Sequence, residues 1–218
     1  MEIKNLNLQE IHEKSQILWQ KSDNTFLASP AYYNMVEIQL RSLLKDWNPI
    51  AKIVDFGCGN GRFTFILSEF CDEIIGYDIS PQLISQACKQ AKDSGAPYLK
   101  IRFANADLLH YKPYSQYDLV SCMGMTSTVI SENSYLNFLT TLFNTLKLNG
   151  LLLMRDSLQK GSVHEVVHTN HYSAIYRSQQ EYQSMLESFG LKCIAVITLD
   201  ESENRINQLM LYKKSSVC

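Results

Sequence analysis

Residues 52–64 read Lys-Ile-Val-Asp-Phe-Gly-Cys-Gly-Asn-Gly-Arg-Phe-Thr, so glycine stands at alternate positions 57, 59 and 61. Glycine reaches positive φ without a Cβ penalty and lets a ligand come close to backbone. The β-branched pair Ile53 and Val54 before the turn suits a buried strand. Residues 62–67 after it can run as a helix, whose first N–H groups lack partners. A strand, a glycine turn and a helix start together make a place where backbone meets a polar or anionic group. Downstream, Asp78 follows Gly57 by 21 residues, a spacing at which a carboxylate can accept from ribose hydroxyls. Asp107 and Leu108 set a carboxylate beside a backbone N–H, a pair that can read the amine and ring edge of an adenine. Arg155-Asp156 is an abrupt charged pair after the apolar run 151–154.

One further pattern invites a different chemistry. His164-Glu165-Val166-Val167-His168 is a literal H-E-x-x-H. On a helix both imidazoles would share a face and bind zinc, with the glutamate as base. The longer zinc-protease signature needs glycine at 171 and histidine at 174, and the chain has His171 and Ala174. A zinc metalloprotease is therefore the remote alternative, and no metal is expected.

The elements that must position these residues alternate. Residues 1–50 read as helices: Leu8, Ile11, Leu18 and Trp19 fit one, and Ser29-Pro30 caps a second carrying Val36, Leu40, Leu43, Leu44 and Trp47. The aromatics Trp19, Phe26, Tyr32 and Tyr33 are read first as core. After the first strand, residues 73–78 make a second strand, ending in Asp78-Ile79. Ser80-Pro81 caps a helix with Ile84, Ala87, Cys88 and Ala91 on one stripe, broken at Gly95-Ala96-Pro97. Residues 99–104 and 117–123 are the third and fourth strands. Leu139, Leu142, Phe143 and Leu146 mark a helix closed by Asn149-Gly150, and 151–154 is a fully apolar fifth strand. Residues 157–177 read as an irregular insertion rich in His and Tyr. A capping box at Ser178–Glu181 starts the closing helix. Residues 192–199 and 208–212 then pair as an antiparallel hairpin. This alternation predicts a doubly wound, mostly parallel α/β sheet that binds its ligand at the carboxyl ends of the strands.

At 218 residues the chain reads as one domain, long enough to bury roughly 70% of its unfolded surface. It comprises a helical cap (1–50), a ligand-binding core (51–156), the insertion (157–177) and a closing helix and hairpin (178–218). The net charge of −2 and the lack of a basic run argue against a nucleic-acid partner. No apolar stretch nears the ~20 residues of a membrane span, and the start, MEIKNLNLQE, lacks the pattern of a secretory leader. The six cysteines form no CxxC pair, which points to reduced, buried thiols in the cytoplasm.

The ordered set Asp55-x-Gly57-x-Gly59-x-Gly61, Asp78, Asp107-Leu108 and Cys122-Met123 resembles the class I S-adenosylmethionine (SAM) dependent methyltransferases over about residues 50–156. A dinucleotide fingerprint would need glycine where Arg62 stands, which disfavours a nucleotide-dependent oxidoreductase. The resemblance implies a Rossmann-like seven-stranded sheet of order 3-2-1-4-5-7-6 with strand 7 antiparallel, under an N-terminal helical lid. It implies SAM as cofactor. Asp55, Gly57, Cys58 and Gly59 would form the loop at its methionine end, Cys58 by packing and not as a nucleophile. Asp78 and Ile79 would hold the ribose, Asp107 and Leu108 the adenine, and Met123 its other face. It leaves the catalytic base unknown, with His164, His168, His171, Tyr172, Tyr176 and Asp156 as candidates. The expected acceptor is a small polar molecule methylated on nitrogen or oxygen, held by Tyr33, Arg155, Asp156, His168, Tyr172 and Tyr176. A protein methyltransferase and a non-catalytic SAM-binding or partner-binding module are the alternatives.

Overall fold

The computed structural model describes residues 7–23, 28–47, 50–95, 100–112, 116–169 and 172–215. Phe26, Ala96, Pro97, Leu99, His171 and Cys218 lie outside them. Seven strands form one sheet in the order β3-β2-β1-β4-β5-β9-β8. These are β1 (Ile50–Phe56), β2 (Cys71–Asp78), β3 (Ile101–Asn105), β4 (Tyr117–Met123), β5 (Leu146–Gln159), β8 (Leu191–Glu201) and β9 (Arg205–Lys214). The first five run parallel, and β9 is antiparallel to both β5 and β8. That is the expected order, with β8 and β9 standing for its strands 6 and 7.

The period-2 alternation of strands sends neighbours to opposite faces. Val54, Phe56, Leu152 and Met154 face α5 (Glu132–Thr145) and α6 (Gln179–Ser188), packing with Phe138, Leu142 and Leu186. Ile53, Leu151, Leu153 and Leu211 face α2 (Pro30–Leu44) and α3 (Arg62–Leu67), packing with Val36, Leu40 and Leu67. Ser29 accepts from the Tyr32 N–H and Pro30 opens α2, as read, whereas Ser178 makes no side-chain cap bond at the start of α6, so the capping box expected there is not formed. The N-terminal cap divides in two. α2 is a core helix, its Val36, Leu40 and Leu44 fully buried. α1 (Leu8–Gln20) instead lies against the loop after β4 and the insertion.

α1 is pinned at both ends. Near its start, buried His12 accepts the Ile130 N–H at Nδ1 (3.3 Å), and burial lowers the imidazole's pKa. Just past its end, Ser80 Oγ donates to the Ser22 carbonyl (2.5 Å) and Gln86 to that of Asp23 (2.8 Å). Both donors belong to the start of α4 (Pro81–Asp93) and its cap.

Three readings need correction. Leu146 is not in the helix stripe but opens β5 opposite Tyr117, because its backbone turns extended (φ −80°, ψ 135°) at the end of α5. The segment 157–177 is regular: β5 continues to Gln159, and β6 (Glu165–His168) pairs antiparallel with β7 (Ser173–Tyr176). On α4 the stripe is narrower than read: Leu83, Ile84 and Ala87 are buried, and Cys88 is exposed.

The insertion is tied to the sheet by a buried polar network. Arg177 donates to the carbonyls of Thr126 (3.0 Å) and Val129 (2.8 Å) and stacks on Tyr135 at 3.5 Å. Asp156 accepts from the Tyr182 hydroxyl at 2.6 Å. Burial pushes the Asp156 carboxyl up to about 6, against the opposing pull of Tyr182, Thr126 and two arginines.

Two predictions follow from this network. Arg177→Met strands two buried carbonyls, so urea unfolding should register a loss of about 2–4 kcal/mol. For Asp156, the folded pKa of about 6 lies above the unfolded value. Ionising it therefore disfavours the fold, and wild-type stability from this group falls as pH rises from about 4 to about 6. Asp156→Asn keeps an acceptor for Tyr182 and cannot ionise. It should gain on wild type across that interval by on the order of 1–3 kcal/mol. An equal difference at pH 4 and 7.5 would assign the titration elsewhere.

Candidate active site

At the carboxyl end of β1 the chain turns back on itself through Gly57 to Gly61. The Gly57 and Cys58 N–H groups donate to the Tyr77 carbonyl (2.8 and 3.0 Å), continuing the parallel ladder. Gly57 has φ 71°, and a Cβ there would meet the Met125 side chain at 3.3 Å. Gly61 has φ 89°, and a Cβ would sit 2.8 Å from the Phe103 ring. Both positions thus require glycine by conformation and by space. Asp78, at the end of β2, closes the turn: its Oδ2 accepts from Gly59 N–H (2.8 Å) and its Oδ1 from Ser80 N–H (2.9 Å). Burial raises its pKa, while these N–H donors oppose the rise.

A cavity of about 320 Å³ opens above this turn, at the lower end of the range for small-molecule sites, about 300–1,000 Å³. Its floor is Gly57 and Gly59, with Met123 and Gly124 from the end of β4. At one end stand Asp78, Ile79, Asp107 and Leu108. Asp107 accepts from Leu109 N–H (3.0 Å) and lies 2.8 Å from His110 Nδ1, contacts that hold the carboxylate in place at the cavity's edge. At the other end stand Tyr33, Phe63 and Arg155. Nine of the fifteen residues expected at the site line this one cavity.

Six do not. Asp55 is 2% exposed beneath the turn, where it accepts from the Thr64 hydroxyl at 2.6 Å. Burial pushes its carboxyl up to about 6. It fixes the turn to α3 from below. Cys58 packs its sulfur under Gly76, and burial holds its thiol well above the usual range, which suits packing and not attack. Asp156 points away from the cavity because it follows Arg155 on β5, and the alternation puts it on the α6 face. His168, Tyr172 and Tyr176 sit on the β6–β7 hairpin, beyond the point where β5 leaves the crevice. There His168 pairs with Ser173 (2.8 Å), and the two tyrosine hydroxyls lie 3.1 Å apart. The H-E-x-x-H stretch is strand from Glu165 to His168, so the helical face that would hold zinc is not formed. No cluster of three metal-ligating side chains occurs among the described residues.

The cavity also has walls that sequence reasoning missed. Gln16 and Trp19 reach it from α1, and Met125 and Thr128 from the loop after β4. Nothing in helical spacing marks Gln16. Gly124, with φ 86°, was the available signal for the loop: a glycine directly after a central strand sits at the sheet's switch point.

The donor set fits SAM. Its glycine cradle would be filled by any Cβ, its buried carboxylate keeps lone pairs for hydroxyls, and its polar groups lie at strand ends around an apolar floor. Comparison with known proteins agrees. Residues 53–150 match the family model described as a methyltransferase domain. The chain is 28% identical over 78 residues to a ubiquinone biosynthesis O-methyltransferase of Leptothrix cholodnii, covering 36% of this chain and 33% of that protein. It is 39% identical over 66 residues to a probable S-adenosylmethionine-dependent methyltransferase of Saccharomyces cerevisiae, covering 29% and 22%. The matches thus span about a third or less of these relatives' length. The fold superimposes on the N-methyltransferase NodS from Bradyrhizobium japonicum in complex with S-adenosyl-L-homocysteine (SAH), with TM-score 0.70 and 16% identity over 94% of this chain and 98% of that one. It also superimposes on magnesium protoporphyrin IX methyltransferase from Synechocystis with bound SAM, with TM-score 0.69 and 14% identity over 99% and 100%. Sequence match, strand order and glycine cradle converge: residues 53–150 of this chain are similar to a methyltransferase domain, set in the fold that those SAM-binding methyltransferases share.

Proposed function

We propose that the protein is an enzyme that methylates nitrogen or oxygen of a small polar molecule, using SAM. The observation that carries this reading is the one cavity that gathers Gly57, Gly59, Asp78, Asp107, Met123 and Arg155 from the carboxyl side of five adjacent strands. Bound SAM supplies a methyl group activated by a sulfonium, whose leaving group is a neutral thioether. The chain's own residues have the remaining work. Asp78 offers its unused lone pairs to ribose hydroxyls, and Asp107 with Leu108 meets the adenine edge. Met123 gives the adenine an apolar face. Gln16, Trp19 and Tyr33 cover the cleft and exclude water. Holding an acceptor in line is worth roughly 7–11 kcal/mol of barrier.

No histidine lines the cavity among its described walls. His168, Tyr172 and Tyr176 of the hairpin stand outside it. This favours an acceptor that attacks with a lone pair already free at neutral pH, or that gives its proton to solvent. A small acceptor is supported by the size of the cavity, and a neutral or acidic surface by the net charge of −2. No described helix is long and apolar enough to cross a membrane. Free thiols at Cys58, Cys71 and Cys122, all buried, support a cytoplasmic setting. A protein acceptor or a purely SAM-binding role is separated from this reading by a methyl-transfer assay across peptide and small-molecule acceptors.

Titration calorimetry should detect binding of SAM and of SAH. Asp78→Ala removes the ribose acceptor and the Gly59 brace together, so SAH affinity should fall at least tenfold, about 1.4–3 kcal/mol. Absence of heat with either ligand, or an unchanged affinity in the variant, would sink the reading. Protein purified without added metal should carry no stoichiometric zinc. Zinc that is present and lost on replacing His164 and His168 would revive the protease alternative.

A further inference from the structure

We propose that Arg155 is a carboxylate receptor in the acceptor half of the cleft, so that the methyl acceptor carries a single negative charge; this deepens, and rests on, the methyltransferase reading above. Arg155 lines the cavity from within β5, paired with Met123 at the end of β4. Its contacts are sparse: Nη1 donates to the Tyr32 hydroxyl and Nη2 to the Met123 carbonyl, each at 3.4 Å. Its Nε is buried with no hydrogen-bond partner among the described residues. It makes no ion pair among them. The neighbouring Asp156 faces the opposite side of the strand and is engaged by Tyr182. A guanidinium has five N–H donors in a fixed fork, and a carboxylate matches that fork with two parallel bonds.

The surroundings hold the fork open. Gly124 has φ 86°, and a Cβ there would collide with Arg155 Nη2. The missing side chain is therefore the space the guanidinium occupies. Phe63 lies under it, with the guanidinium carbon 5.8 Å from the ring centroid.

Charge bookkeeping along the cavity selects the ligand's sign and size. Arg62, the other cation in the lining, is already neutralised by Glu37 at 2.7 Å. The two carboxylates, Asp78 and Asp107, stand at the far end. β2 and β5 are three places apart in the sheet order, which separates Asp78 from Arg155 by about 14 Å. The cleft is thus acidic where a nucleoside's hydroxyls and amine would lie, and carries one uncompensated positive charge at its other end. One such charge suits a mono-anion. A phosphate would call for further cations or a long helix's N-terminus, and α3 has only six residues.

A carboxylate could belong to the acceptor or to the amino-acid end of SAM itself, and the experiment separates them. Protein loaded with SAH is titrated with acetate against acetamide, benzoate against benzamide, and glycine against glycinamide, followed by ligand-observed NMR. At least one acid should bind tenfold more tightly than its amide. Arg155→Gln should erase that advantage, and Arg155→Lys, which keeps the charge without the fork, should retain part of it. SAH affinity should stay within threefold in both variants. The proposal is overturned if no acid outbinds its amide, or if the preference survives in Arg155→Gln. It is overturned differently if Arg155→Gln loses tenfold in SAH affinity but binds 5′-methylthioadenosine, which lacks the amino-acid end, as wild type does. The guanidinium would then serve the cofactor. A wild-type protein that binds no SAH fails the methyltransferase reading itself.

Discussion

The Asp78 carboxylate is the junction on which the site is built. One oxygen holds the middle glycine of the turn after β1, and the other holds the cap of α4. The carbonyl of the same residue takes the Ala106 N–H (3.0 Å) and the Asn105 side-chain amide (2.9 Å) beyond β3. Three strand ends and one helix start therefore share one residue. Such a position needs a short acceptor with two oxygens and several lone pairs, which is aspartate's inventory. Burial works against its ionisation and the N–H donors offset part of that cost. The anion is stabilised by the same bonds that shape the turn, so the geometry of the cradle and the charge presented to a ligand cannot be tuned separately.

β5 illustrates a second constraint. Its run of four apolar residues ends in two charged ones, and the pleat sends them apart. Arg155 joins the face of Leu151 and Leu153 and reaches the cleft. Asp156 joins the face of Leu152 and Met154 and is consumed in a buried network with Tyr182. Read as a sequence, the pair suggests an ion pair or a joint binding site. Read with a period of two, it is one residue for the site and one for the scaffold.

That contrast explains how far the sequence could be read. The glycine turn, Asp78 and Asp107-Leu108 were legible because parallel β/α units deliver chemistry to the ends of strands, and those ends can be found from apolar runs and helix caps. Gly57, Gly59 and Gly61 carry their own reason in their φ values. Gln16 and Trp19 were not legible as site residues, because their place depends on where α1 comes to rest, and that is decided by contacts of Ile11 and His12 with Ile130 and Ile175, far away in sequence. His168, Tyr172 and Tyr176 misled for a related reason. Their residue types suit chemistry, but β5 runs on to Gln159 and carries the hairpin past the crevice. Composition marks what a residue can do, and only the length of the preceding strand marks where it does it.

The two-ended attachment of α1 bears on time as well as on shape. Gln16 and Trp19 form part of the roof. The helix carrying them is held at His12 on one side and by Ser80 and Gln86 on the other. Ser80 is also the cap whose N–H rests on Asp78. The roof's hinge is thus fastened to the residue that grips the ligand's sugar in the proposed reading. In that reading a ligand leaving past the roof works against these side-chain bonds, which ties the residence time of a spent product to the lifetime of the roof's anchors.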